Sequence, residues 1–164
     1  MRTDIKNKSL NTEKKELYEA LCAQARALLE GEDDAVANAA NLAALLYQGL
    51  PQLNWAGFYF LRGETLVVGP FQGKPACVRI SLGRGVCGTA AAEKRSRIVD
   101  DVNAFADHIA CDIDSRSEIV VPLVRDGRVL GVLDLDAPVT RRFDADDQAG
   151  LERIAALWVA ALSD

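Results

Sequence analysis

The chain has 164 residues, 49% of them hydrophobic and 26% charged, with a net charge of -5. That length and balance suit one domain with a substantial core, and the acidic excess argues against nucleic acid or an anionic membrane as the main partner, since both call for a basic patch. No apolar run approaches the ~18 residues of a membrane span, and the opening MRTDIKNKSLNTEKKE lacks the apolar core of an export signal, so a cytoplasmic protein is expected.

In chain order, residues 1–11 are polar and expected to be loose, and the first helix is predicted from about Thr12 to Glu30. Leu17, Leu21, Ala25 and Leu28 recur at helical spacing, and Gly31 stops the helix. Cys22 lies beside Leu21 and Ala25 and reads as a packing residue. Asp33 or Asp34 caps a second helix, with Val36, Ala40, Ala43 and Tyr47 on one face and Pro51 barring its continuation. Trp55 to Leu61 is short, aromatic and strand-like, and Leu66 to Val68 and Val78 to Ser81 read as two more strands. A turn over Leu82 to Gly85 leads into a short helix around Val86 to Lys94. A brief strand at Arg97 to Asp100 and a polar loop from Val102 to Ser115 follow.

The clearest local signal is Asp126-Gly127, a type I′ turn dipeptide between the strands Ile119 to Arg125 and Arg128 to Asp134. Asp144 is placed to N-cap the last helix, with Asp147 at the capping-box position and Leu151, Ile154, Ala155, Trp158 and Leu162 as its apolar stripe. This order gives an α+β fold in a single domain over 1–164. The terminal helices bury their stripes on one face of an antiparallel sheet, which leaves the other face for a pocket under the middle loops.

Three of the four cysteines, Cys77, Cys87 and Cys111, fall within one stretch of the chain. With His108 they make a possible Cys₃His zinc set, but Cys77 and Cys87 are too far apart in sequence for a zinc knuckle. The alternative is redox chemistry, in which one thiolate attacks an oxidised substrate and a second cysteine resolves the product as a disulfide. Cys111 and Cys77 both lie on loops suited to this. Cys87 sits where a glycine turn enters a helix whose free N–H groups lower a thiol pKa, so on local grounds it too is a candidate nucleophile. In Val132-Leu133-Asp134-Leu135-Asp136 the two aspartates share the face opposite the leucines. Pairing through the Asp126-Gly127 turn sets Glu118 opposite about Leu135, close to both aspartates, which leaves two readings: a solvated acidic edge, or three carboxylates meeting on the pocket face, where clustering raises at least one pKa. Trp55 and Tyr59 match in parity on the aromatic strand, and their polar tips suit a half-lined cavity.

From about Ala35 to Leu162 the order resembles the GAF domain, a small-molecule-binding fold. The motifs Asn54-Trp55-Ala56-Gly57-Phe58-Tyr59, Gly69-Pro70-Phe71-Gln72-Gly73, Gly83-Arg84-Gly85-Val86-Cys87-Gly88, His108-Ile109-Ala110-Cys111-Asp112, Ser117-Glu118-Ile119-Val120-Val121-Pro122 and Gly131-Val132-Leu133-Asp134-Leu135-Asp136 are similar to those of the free methionine-R-sulfoxide reductases, which are stand-alone GAF-domain enzymes. The resemblance implies Cys111 as the catalytic cysteine, Cys77 as the main resolving cysteine and Cys87 as an auxiliary thiol. It implies a pocket of Trp55, Tyr59, Glu118, Asp134 and Asp136, with free L-methionine-(R)-sulfoxide as substrate. It further implies no bound cofactor, recycling by thioredoxin with NADPH and thioredoxin reductase, and a homodimer. The alternative from another class is a GAF sensor module that binds a small ligand without chemistry.

Overall fold

The computed structural model describes residues 2–164, with side chains from residue 10 onward. The chain forms α1 (Arg2–Leu29), α2 (Ala35–Gly49), β1 (Trp55–Arg62), β2 (Thr65–Gly73), β3 (Arg79–Ser81), α3 (Gly85–Glu93), β4 (Arg97–Val99), β5 (Ser117–Arg125), β6 (Arg128–Ala137) and α4 (Ala145–Ala161), with a single 3-10 turn at Val102–Ala104. The six strands make one sheet in the order β3-β2-β1-β6-β5-β4, and every neighbouring pair is antiparallel. Among the described residues no helix is long and apolar enough to cross a membrane.

Strand alternation divides the molecule. Ala56 and Phe58 of β1, Ile119, Val121 and Leu123 of β5, and Leu133, Leu135 and Ala137 of β6 point to one face and pack in a single core with α1, α2 and α4. Trp55, Tyr59, Val120 and Val132 point to the other face and form a second apolar cluster with Leu66, Ile80 and α3. This second face carries the loops between β2 and β3 and between β4 and β5.

Several expected elements shift. α1 starts at Arg2 rather than Thr12, so residues 2–11, expected to be loose, are helical. Its buried stripe is Tyr18, Leu21, Cys22, Ala25 and Leu29, whereas Leu28 is exposed. α2 buries Ala39, Leu42, Ala43 and Leu46 instead of Val36 and Ala40, because the sheet meets the helix on the leucine side. β2 runs past Gly69-Pro70, where the register with β1 slips between Gly57 and Tyr59, and an irregularity of this kind is where a strand tolerates proline. Asp126 and Gly127 both have positive φ, as the type I′ turn requires. The capping box at Asp144 and Asp147 forms as expected. α4 ends at Ala161, so Leu162 is its cap and only half-buried.

One buried polar knot fastens the helical layer. Asp147 is fully buried, accepts from Tyr18 Oη at 2.7 Å, Lys14 Nζ at 2.8 Å, Arg142 Nη1 at 3.2 Å and the Asp144 N–H at 2.9 Å, and so ties α1 to α4. Removing the carboxylate strands a buried guanidinium and a buried phenol, which costs about 3–5 kcal/mol. Asp147→Ala should therefore lower the midpoint of thermal unfolding by roughly 10 °C. A melt followed by circular dichroism checks this, and an unchanged midpoint would show that the knot contributes little.

Candidate active site

Cross-strand register assembles the pocket floor. Trp55 pairs with Asp136, which pairs with Glu118, giving one row across β1, β6 and β5. Gly57 pairs with Asp134, which pairs with Val120, giving the next. Glu118 stands opposite Asp136 and not Leu135, because the register slips between Leu123 and Val124 and leaves Leu130 unpaired on β6. Without that bulge Glu118 would face the helices, so one extra residue near the turn puts all three carboxylates on the pocket side. Gly57 is also required. A Cβ there would lie 2.3 Å from Phe71 Cβ and 2.7 Å from the Trp55 ring.

Trp55, Tyr59, Cys87, His108, Cys111, Glu118, Asp134 and Asp136 all line a cavity of about 40 Å³, measured as space open to the centre of a water molecule. Both expected aromatics are present, but their polar tips serve the chain itself. Tyr59 Oη donates to the Cys77 carbonyl at 3.0 Å, and Trp55 Nε1 donates to the Lys74 carbonyl at 3.2 Å. Trp55 stacks on Phe71 with ring centroids 5.2 Å apart. The aromatic strand thus holds the Cys77 loop in place.

Cys77 and Cys111 are joined as a disulfide, with Cα atoms 5.4 Å apart. The two cysteine loops are also clamped by side chains. Lys74 Nζ donates to Asp114 at 2.5 Å, and Asn54 Nδ2 donates to Asp112 at 3.1 Å and to Ser115 at 3.0 Å. Farther along the Cys111 loop, Asp107 accepts two bonds from Arg84 and one from the Gly85 N–H at the start of α3. The zinc set weighed from the sequence is not assembled, since two of its thiols are bonded to each other.

Cys87 and Cys22 are the free thiols, and both are buried. Cys22 packs in the helical core, as expected. Cys87 lies in the first turn of α3, but burial, then the charges of Asp134 and Glu118, push its thiol well up. This corrects the expectation that the helix start lowers it: the loss of water and three nearby acids outweigh one short helix's dipole. Cys87 Sγ lies 3.8 Å from Glu118 Oε1. Burial, then the neighbouring aspartates, raise the Glu118 carboxyl well above the usual carboxylate range. Burial lifts Asp134 to about 6, and burial followed by the charges of Asp134 and Asp112 raises Asp136 well above its ordinary value. His108, the single histidine, is the pocket residue that sequence reasoning reached only as a metal ligand. Its Nε2 lies 3.9 Å from Glu118 Oε2, and burial lowers its pKa, so it is neutral at pH 7.

A GAF domain family model matches residues 11–163. The free methionine-R-sulfoxide reductase of Escherichia coli is 52% identical over 143 residues, covering 87% of this chain and 87% of that protein. The chain belongs to the free methionine-R-sulfoxide reductase family of GAF domains. Among solved structures, the free methionine-R-sulfoxide reductase of Neisseria meningitidis in complex with its substrate is 45% identical, with a TM-score of 0.88 over 90% of this chain and 89% of that one. The fRMsr of Staphylococcus aureus in complex with substrate is 49% identical, with a TM-score of 0.85 over 89% of this chain and 95% of that one.

Within this family fold the buried acids oppose stability. The native state binds the Asp134 proton more tightly than the unfolded chain, so the contribution of Asp134 to stability falls as pH rises from about 4 through 6 and stays lost above. The neutral isostere Asp134→Asn should be more stable than the parent by about 1–3 kcal/mol at pH 8, with the gap closing by pH 4. Denaturant titrations at the two pH values test this, and a variant less stable at pH 8 would contradict it.

Proposed function

We propose that this chain reduces free L-methionine-(R)-sulfoxide to L-methionine with Cys111 as nucleophile. The observation that carries the reading is the Cys77–Cys111 disulfide at the edge of a cavity floored by the buried Glu118 and Asp134 and the half-buried Asp136. In the reduced chain the Cys111 thiolate attacks the sulfoxide sulfur. Glu118, whose carboxyl is raised well above its ordinary range by burial and by the aspartates, is the proton donor suited to the sulfoxide oxygen. The oxygen passes to Cys111, methionine leaves with two electrons from the thiol, and Cys111 becomes a sulfenic acid. The Cys77 thiol displaces hydroxide from that sulfur, with water and the Cys77–Cys111 disulfide as products. A dithiol reductant of the thioredoxin type, itself oxidised to a disulfide and recharged from NADPH, restores both thiols.

Asp134 and Asp136 offer carboxyl oxygens to the ammonium group of a free amino acid, and Trp55 forms an apolar wall for the S-methyl end. Cys87 serves as a protonated neighbour of Glu118 more than as a second resolving thiol. No bound cofactor enters these steps, and the acidic, cytoplasmic, homodimeric protein implied by the family is part of the same reading. A ligand-binding sensor would need no cysteine pair joined beside its pocket, which is why the enzymatic reading is favoured.

Cys111→Ser should reduce turnover to background in a thioredoxin-coupled NADPH assay, since a hydroxyl is not ionised near pH 7. Cys77→Ser should release about one methionine per chain and then stall as the Cys111 sulfenic acid, which a dimedone adduct would reveal by mass spectrometry. Continued cycling of Cys111→Ser would move the nucleophile to Cys87. A sulfoxide blocked as N-acetyl amide should react at least about tenfold more slowly, because the pocket acids then face no ammonium. Equal rates would remove the free-amino-acid specificity.

A further inference from the structure

The disulfide does not exhaust the soft donors of the pocket. Cys87 Sγ, one Glu118 carboxylate oxygen and one Asp134 carboxylate oxygen all lie within 4.8 Å of one another, and all three residues are buried. Zinc bound at ~2.3 Å to sulfur and ~2.0 Å to oxygen in tetrahedral geometry holds the two donors about 3.5 Å apart. The Cys87 Sγ to Glu118 Oε1 distance is 3.8 Å, near that spacing, and the Asp134 oxygen lies within 4.8 Å of both, so the donors draw in by up to about 1.5 Å to close the site.

A second observation calls for a ligand here. Asp134 is only 5% exposed, yet its Oδ1 has no hydrogen-bond partner. Buried carboxylate oxygens without donors are rare in native proteins. Among the described residues lining the cavity none is lysine or arginine, so no side-chain cation answers the acids. The donor set of thiolate, carboxylates and a nearby imidazole suits borderline-soft zinc and excludes calcium and magnesium, which take oxygen alone.

We propose that the pocket is also a zinc site, with Zn²⁺ held by Cys87 Sγ, Glu118 and Asp134 and the fourth position open to His108 or a water. Binding expels the Cys87 proton to solvent and replaces repulsion among acids by attraction to one cation. The ligands are distinct from the Cys77, Cys87, His108 and Cys111 set that the sequence offers, and none of the three is tied up in the disulfide. The site therefore persists in the oxidised chain. An ion held by these side chains occupies the acids that would otherwise meet an amino acid's ammonium group, so zinc acts as an inhibitor that competes for them.

The test uses the full chain in its disulfide form, stripped with a chelator, so that Cys77 and Cys111 are unable to bind metal. Calorimetric titration with Zn²⁺ alone should show one ion per chain, and Co²⁺ in its place should give a thiolate-to-cobalt charge-transfer absorption. Losing a group that merely orients a metal ligand costs about 10–100-fold in affinity, so Cys87→Ser, Glu118→Gln and Asp134→Asn should each weaken zinc binding by about tenfold or more. Cys87→Ser should also abolish the charge-transfer band. No stoichiometric binding to the oxidised parent, a cobalt spectrum without the thiolate band, or unchanged affinity in Asp134→Asn would each overturn the site, even if Cys87→Ser fails to fold. No substrate or turnover enters the measurement, so its outcome is separate from that of the reductase reading.

Discussion

Three carboxylates side by side on one face of a sheet, two buried and one half-buried, is an arrangement that a fold must be forced into. Glu118, Asp134 and Asp136 lose water and repel one another, and the result is seen in their raised pKa values. What holds them there is the opposite face of the same strands. Ile119, Leu133 and Leu135 alternate with the acids and are fully buried against the helices. The apolar burial on one side fixes the register, and the register fixes the acids on the other. Stability and chemistry therefore reside on the same two strands with opposite sign.

The sulfur chemistry depends on a second constraint, the meeting of two loops. The Cys77 loop is held from beneath by Tyr59 and Trp55, and the Cys111 loop is held at both ends, by Asp107 on Arg84 and by Asp112 on Asn54. Between those anchors the Cys111 loop has no regular structure, and the 3-10 turn at Val102–Ala104 precedes them. The Cys77–Cys111 disulfide joins the two loops at the edge of the cavity. Reduction frees one loop from the other, and the anchors on either side of Cys111 limit how far it then travels.

Much of this was legible in the sequence because the relevant signals are local. The Asp126-Gly127 turn, the Asp144 capping box and the alternation of Leu133 and Leu135 with Asp134 and Asp136 each follow from a few adjacent residues, and each is present. The partner of Glu118 was not legible, because a bulge at Leu130 has no local signature and moves the register by one residue. The thiol of Cys87 was misread for a related reason. The helix start is written in the sequence, but the burial that overrides it comes from strands far along the chain. His108 needed the folded loop to bring it within 3.9 Å of Glu118. The face of α2 shifted because an alanine-rich helix leaves the choice of buried side to whatever packs against it.

The central claim is that this pocket couples reduction of a free amino-acid sulfoxide to formation of one particular disulfide. The most direct measurement is a single turnover without reductant, in which pre-reduced protein is mixed separately with the R and S epimers of free methionine sulfoxide. Released methionine and remaining thiols are then counted, and the bonded cysteines are mapped by mass spectrometry. The account predicts about one methionine per chain from the R epimer, loss of two thiols, and a Cys77–Cys111 linkage, with neither product from the S epimer. Methionine released equally from both epimers, or no methionine from the R epimer while the thiols stay intact, would contradict it.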